Sequence, residues 1–114
     1  MFIHALPTDD RLSLAADLMP GDTRRPPVLL AHGFGQTRQS WSGTQRRLAD
    51  AGHASLAFDM RGHGASRRNP ADRPYAADQF VADVHTAADA LGGDAILVGA
   101  SMGGLTGLLA QAQR

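Results

Sequence analysis

The polar and apolar positions change their rhythm about a quarter of the way along the chain. Over residues 11–18, RLSLAADL, Leu12, Leu14 and Ala16 alternate with other positions, which predicts an early strand with one solvated face. Residues 1–6 are expected to form a strand paired with it. Pro20-Gly21-Asp22 through Pro26-Pro27 is turn chemistry. Three short apolar runs follow: Val28-Leu29-Leu30-Ala31, Ala54-Ser55-Leu56-Ala57-Phe58 and Ala95-Ile96-Leu97-Val98. Continuous apolar character fits strands covered on both faces.

Helical spacing fills the gaps. From about Ser40 to Ala51, Trp41, Thr44 and Leu48 share a face, with Gly52 placed to cap the carboxyl end. From about Ala77 to Leu91, Phe80, Val84, Ala87, Ala88 and Leu91 form one stripe, Asp78 sits in the first turn, and Gly92-Gly93 stops the helix. From about Met102 to Gln113, Leu105, Leu108, Leu109 and Ala112 recur at helical spacing. The order is two leading strands, then β-α-β-α-β-α. Such alternation predicts an α/β protein, three layers deep (α/β/α), with a mostly parallel sheet and right-handed crossovers. Chemistry in these sheets collects at the carboxyl ends of the strands. Three glycine-rich motifs fall there: His32-Gly33-Phe34-Gly35, Arg61-Gly62-His63-Gly64 and Gly99-Ala100-Ser101-Met102-Gly103.

The last motif reads G-x-S-x-G between an apolar strand and an amphipathic helix, the setting of a nucleophile elbow. A sharp turn there lifts the Ser101 hydroxyl above the sheet at the cost of backbone strain, and side chains at the flanking glycines would collide with neighbouring backbone. A phosphate-binding loop competes for the same residues, because Gly99 to Thr106 has the outline G-x-x-x-x-G-K-[ST]. Leu105 occupies the lysine position, and the chain contains no lysine. The dinucleotide pattern G-x-G-x-x-G also fails, since Gly33-x-Gly35 is followed by Arg38 and Gly62-x-Gly64 by Arg67.

With these motifs in this order, residues 25 to 114 resemble the N-terminal part of an α/β-hydrolase of the serine-nucleophile branch, which includes esterases, lipases and peroxidase-like members. Residues 1–114 are then the N-terminal portion of one such domain. The H-G-F turn resembles the family's loop after the third strand, and Asp59-Met60-Arg61-Gly62-His63-Gly64-Ala65-Ser66 resembles its D-x-R-G-x-G-x-S loop after the fourth. The resemblance implies three site residues: Ser101 as nucleophile, with the backbone amides of Phe34 and Met102 as oxyanion donors. The Phe34 side chain would line the acyl pocket. His32 is expected to brace its loop rather than act as the base, because the family's histidine follows the serine. Asp59, His63 and Ser66 are expected to be structural rather than a local triad, with Asp59, Arg61 and Ser66 satisfying buried backbone groups. His4, His53 and His85 carry no assigned role, and His85 is expected to face solvent.

No histidine, aspartate or glutamate follows Ser101, so the triad's acid and base are absent from this chain. A serine hydroxyl without a base is a weak nucleophile. The function expected of the family member is hydrolysis of an ester-type acyl bond in a small molecule, without cofactor or metal. Perhydrolysis by the same triad is an alternative chemistry. An inactive fragment, or a half-domain completed by a partner chain, is the alternative for the isolated residues. Ala95–Val98 would then be an exposed apolar edge.

Composition narrows the field further. Net charge is zero, with eleven Arg scattered among eleven Asp, so there is no nucleic-acid footprint. The absence of cysteine excludes disulfides and thiolate metal sites. No apolar run approaches the ~20 residues of a membrane helix, and residues 1–7 lack the features of a secretory signal. A soluble cytoplasmic protein is the expectation.

Overall fold

The structure, a computed structural model, describes residues 2–22 and 24–113. Met1, in the first expected strand, and Thr23, in the expected turn, lie outside them. Five strands form one mixed sheet: β1 (Phe2–Pro7), β2 (Ser13–Met19), β3 (Val28–Ala31), β4 (Ser55–Phe58) and β5 (Ile96–Gly99). Two helices connect parallel strands, α1 (Ser42–Asp50) and α2 (Ala77–Ala90), and α3 (Met102–Ala112) follows β5. A single 3-10 turn, Arg38–Trp41, leads into α1.

The sheet order is β1-β2-β4-β3-β5. β1 pairs antiparallel with β2, and β2 with β4, while β3 runs parallel to both β4 and β5. The crossover helices therefore lie on both faces. On one face Leu14, Ala16, Leu29, Ala31, Leu56 and Phe58 meet Val81, Val84 and Ala87 of α2 and Ala110 of α3. On the other, Val28, Leu30 and Ala57 meet Trp41 and Leu48. Alternate residues of β3 serve opposite cores, as strand geometry requires. Each large side chain buried this way contributes about 1.5–3 kcal/mol.

The expected faces need correction in three places. In α1 the buried residue is Gln45, while Thr44 is exposed. Gln45 Nε2 donates to the Asp17 carbonyl oxygen at 3.1 Å, a polar tie between helix and sheet that apolar periodicity does not register. The solvated face expected for β2 is covered at Asp17, which is buried beneath Arg38. In α3 the inward face is Gly103, Thr106, Gly107 and Ala110, whereas Leu105, Leu108 and Leu109 point outward and Leu108 is 71% exposed. The reason is steric. A Cβ at Gly103 would lie 2.2 Å from the Ala31 carbonyl oxygen, and one at Gly107 would lie 2.4 Å from Leu97 Cδ2. The helix sits so close to the sheet that only small residues fit between them.

Ile96 and Val98 of β5 are also exposed, on the opposite sheet face, where they stand beside Val28 and Leu30. Among the described residues β5 pairs with β3 alone, so the expected apolar edge is present. The helix stops follow the sequence closely. Gly52 (φ 91°) follows the end of α1, and the amides of His53 and Gly52 close back onto the carbonyls of Leu48 (2.8 Å) and Ala49 (2.9 Å), the two bonds of a Schellman cap.

Candidate active site

Ser101 stands between Ala100, the residue after β5, and Met102, the first residue of α3, with φ 55° and ψ −113°. Only one other described non-glycine residue, Arg11, has positive φ. Such a conformation costs on the order of 1–3 kcal/mol and persists only where surrounding structure imposes it. The surroundings here do so. The Ala100 amide donates to the Ala31 carbonyl oxygen at 3.1 Å, continuing the β3 ladder up to the turn. Immediately afterwards the Leu105 amide closes onto the Ser101 carbonyl oxygen at 3.0 Å, so α3 has begun. A Cβ at Gly99 would lie 2.5 Å from backbone atoms of Gly103 and Gly104. Ser101 itself is exposed. The amide of Met102, the first helical residue, has no acceptor within its own helix and adds to the positive end of the helix dipole.

Next to Ser101 lies the turn after β3. A Cβ at Gly33 would be 3.6 Å from Ser101 Cβ. His32 is fully buried and uses both ring nitrogens. The Met60 amide donates to Nε2 at 2.9 Å, so the ring proton is assigned to Nδ1, which donates to the Gly33 carbonyl oxygen at 2.8 Å. Burial holds its pKa below the ordinary histidine value. His32 is therefore a neutral strut between the loops that follow β3 and β4. Its bond to the Gly33 carbonyl has a further effect: in a planar trans peptide, the Phe34 N–H points opposite to that carbonyl. The Phe34 side chain is 77% exposed, and its ring partner is His63, edge-on with centroids 5.5 Å apart.

The loop after β4 is a scaffold. Asp59, fully buried, accepts the amides of Arg38 (2.6 Å) and Ala65 (2.9 Å) and pairs with the Arg38 guanidinium. Ser66 Oγ donates to the Asp59 carbonyl oxygen and accepts the Ala15 amide at 2.9 Å, tying the loop to β2. Asp59 and Ser66 thus satisfy backbone groups as expected, but Arg61 does not. Its buried guanidinium grips the Asp83 carboxylate of α2 through two contacts of 2.7 Å and reaches Asp10 in the β1–β2 turn at 2.7 Å. The hydrogen bond from Arg61 is the main cause holding the Asp10 carboxyl at about 2. Burial pushes the Asp83 carboxyl up, against the pull of Arg61. Arg38 Nε also lies 3.1 Å from Asp17 Oδ1, a charge contact without hydrogen-bond alignment. The sequence offered one signal for this network: Asp83 stands between Val81 and Val84 on a helix face that is otherwise apolar.

His63 accompanies this loop, with Nδ1 3.2 Å from the Arg61 carbonyl oxygen. His53 Nδ1 lies 2.6 Å from the Pro26 carbonyl oxygen, and His85 Nε2 lies 3.1 Å from Gln113 Oε1. Among the described residues, no group of three or more His, Cys, Asp or Glu is arranged to hold a metal ion. Nor is any described helix long and apolar enough to cross a membrane. A cleft of about 480 Å³ between α2, α3 and the amino end of β5 lies away from Ser101, which follows the carboxyl end of that strand.

Residues 26–114 match the family model described as alpha/beta hydrolase fold. The chain belongs to the α/β-hydrolase-fold family. Among its relatives in that family, "Epoxide hydrolase A" of Mycobacterium tuberculosis is 39% identical over 84 residues, covering 73% of this chain and 26% of that protein. A Synechocystis protein, provisionally named a non-heme chloroperoxidase, is 38% identical over 78 residues, covering 68% of this chain and 28% of that protein. The crystal structure of an α/β hydrolase from Sphaerobacter thermophilus superposes with a TM-score of 0.85 at 32% identity, covering 96% of this chain and 40% of that one. The chain thus spans about a quarter of the length of the curated relatives it matches.

Proposed function

We propose that this α/β-hydrolase chain carries the nucleophile and oxyanion donors of a serine hydrolase acting on an ester-type acyl bond. The observation that carries the reading is Ser101 at φ 55° in the turn joining β5 to α3. Ser101 Oγ would bond to the substrate's carbonyl carbon while its proton passes to a histidine. The amides of Phe34 and Met102 would take the negative charge that develops on the carbonyl oxygen. Collapse would expel the alcohol, which recovers the proton, and water would then cleave the acyl-serine by the same route. Each pre-set amide lowers the barrier by about 3 kcal/mol.

The acid and base of this scheme are not supplied by the described residues in any recognisable form. His32 has both nitrogens engaged, and no histidine or carboxylate follows Ser101 in the sequence. The 114 residues alone are therefore expected to turn over p-nitrophenyl acetate no faster than their Ser101→Ala variant. In a polypeptide that also supplies the base, a fluorophosphonate should label Ser101, and Ser101→Ala should abolish labelling. Equal labelling of the variant would refute the assignment.

Several similar curated proteins carry the epoxide-hydrolase name, and the serine at position 101 argues against the same chemistry here. Epoxide hydrolases of this fold usually carry aspartate at the elbow, and a carboxylate opening an epoxide leaves an ester that water can cleave. Ser101 opening the same ring would leave an ether, which has no carbonyl for water to attack. A second reading, perhydrolysis, is favoured by the chloroperoxidase name of the Synechocystis relative. It differs only in using hydrogen peroxide in place of water to accept the acyl group from Ser101.

A further inference from the structure

We infer that Gln36 is a positioning residue for the Phe34 amide, and that its side chain must be neutral as well as long enough to reach Gly33. The inference rests on the reading of Ser101 and Phe34 given above. Glycine leaves the backbone free at position 33, yet its peptide groups must be fixed if the Phe34 N–H is to face a developing charge. Three hydrogen bonds fix them. The Gly33 carbonyl oxygen accepts from His32 Nδ1 at 2.8 Å and from the Gln36 amide at 3.0 Å. The Gly33 N–H donates to Gln36 Oε1 at 3.1 Å. Two of the three come from Gln36, one through its backbone and one through its side chain.

The side-chain bond closes on the face that Gly33 turns toward the nucleophile. The position a Cβ would occupy at Gly33 lies 3.1 Å from Gln36 Oε1, 3.4 Å from the Ala100 carbonyl oxygen and 3.6 Å from Ser101 Cβ. The carboxamide is thus within about 7 Å of Ser101 Cβ. A glutamate would offer Gly33 the same acceptor but place a negative charge beside the one that catalysis creates. At an effective dielectric near 20, a full charge at that distance costs roughly 50-fold in rate. Gln36 is otherwise exposed, so its core packing gives no separate reason for the side chain to be held there.

The test compares Gln36→Met and Gln36→Glu by two readouts. The first is amide NMR of the 114-residue chain. In Gln36→Met, hydrogen exchange at Gly33 should accelerate about 10-fold and the Phe34 amide resonance should move, with β3 and β4 resonances unchanged; in Gln36→Glu, Gly33 should stay protected. The second is ester hydrolysis by a polypeptide that also supplies the base. Gln36→Met should lower kcat about 10-fold at constant KM, and Gln36→Glu should lower it further although the Gly33 bond survives. Unchanged Gly33 and Phe34 amides in Gln36→Met would overturn the inference, as would parental kcat in both variants. Turnover that persists in Ser101→Ala would instead condemn the nucleophile assignment, and the NMR comparison would still decide whether Gln36 orients Phe34.

Discussion

Replacing Gly103 by alanine tests the close approach of α3 to the sheet. The added methyl carbon would lie 2.2 Å from the Ala31 carbonyl oxygen, 2.6 Å from the Ala31 carbonyl carbon and 2.7 Å from the His32 carbonyl oxygen. All three are backbone atoms at the end of a central strand, so no side chain can swing aside. Relief to an ordinary contact of about 3.5 Å requires α3 to retreat by roughly 1 Å. Overpacking of this kind costs about 1–3 kcal/mol. In a domain of this size that lowers Tm by roughly 5–20 °C. The retreat also carries Met102 and Ser101 away from Gly33, and a displacement of 1 Å in a reacting constellation costs about 100-fold in rate. Thermal melts followed by circular dichroism would measure the first effect, with two alanine variants as internal references. Gly104→Ala meets the Gly99 carbonyl oxygen at 3.2 Å and should be milder. Gly43→Ala, within α1 with nothing inside 4 Å, should gain up to about 1 kcal/mol from helix propensity. If Gly103→Ala melts with the parent, the close seating of α3 on the sheet is wrong and the elbow geometry falls with it.

Other outcomes follow from the same structure. Arg61→Ala strands the Asp83 carboxylate in a buried site and should cost about 3–5 kcal/mol in urea titrations, much of it recovered by the double variant Arg61→Met/Asp83→Leu. Stability should fall with acid in two stages. His32, whose folded pKa lies below its unfolded value of 6.5, favours the folded state above that pH and loses ground as pH falls through and below it. Asp10, depressed from 3.8 to about 2, adds a loss between these two values, about 1 kcal/mol after allowance for its partial exposure. Urea midpoints at successive pH values would show this, and Asp10→Asn should flatten the lower stage. Ser101→Gly should raise stability by about 0.5–1 kcal/mol, because relief of strain exceeds the added entropy of the unfolded chain, while removing the nucleophile. A variant less stable than the parent would show that the φ of 55° is not strained.

The elements that apolar runs and glycine stops define were legible in the sequence. Val28–Ala31, Ser55–Phe58 and the α2 stripe through Val84 and Ala87 fall where periodicity places them. So does the turn at Ser101, because glycines at positions 99 and 103 report a steric need rather than a preference. What escaped were faces decided by contact instead of hydrophobicity. The leucines of α3 suggested its inner side, but the helix approaches so closely that Gly103 and Gly107 occupy it. Polar burial was equally hidden. Gln45, Asp17 and Asp10 carry no apolar signal, and only the folded chain brings them partners from distant segments; Asp83 alone was marked, by its apolar neighbours Val81 and Val84. The Phe34 amide could be nominated by resemblance alone, since nothing local to residues 32–36 reveals that a glutamine side chain and a buried imidazole fix the two peptide units on either side of Gly33.

The placement of β4 between β2 and β3 has a consequence for assembly. β2 leaves the ribosome early with its natural neighbour missing, because Ala16 faces Phe58 and the Ala15 amide waits for the Ser66 hydroxyl. The amino-terminal hairpin must therefore stay uncommitted through synthesis of α1 and the loop beyond β4. Docking then comes as one concerted event, slow in proportion to its sequence separation. During that wait the side of β2 that will meet β4 is an open template, and a chaperone or a lowered temperature would matter for this step.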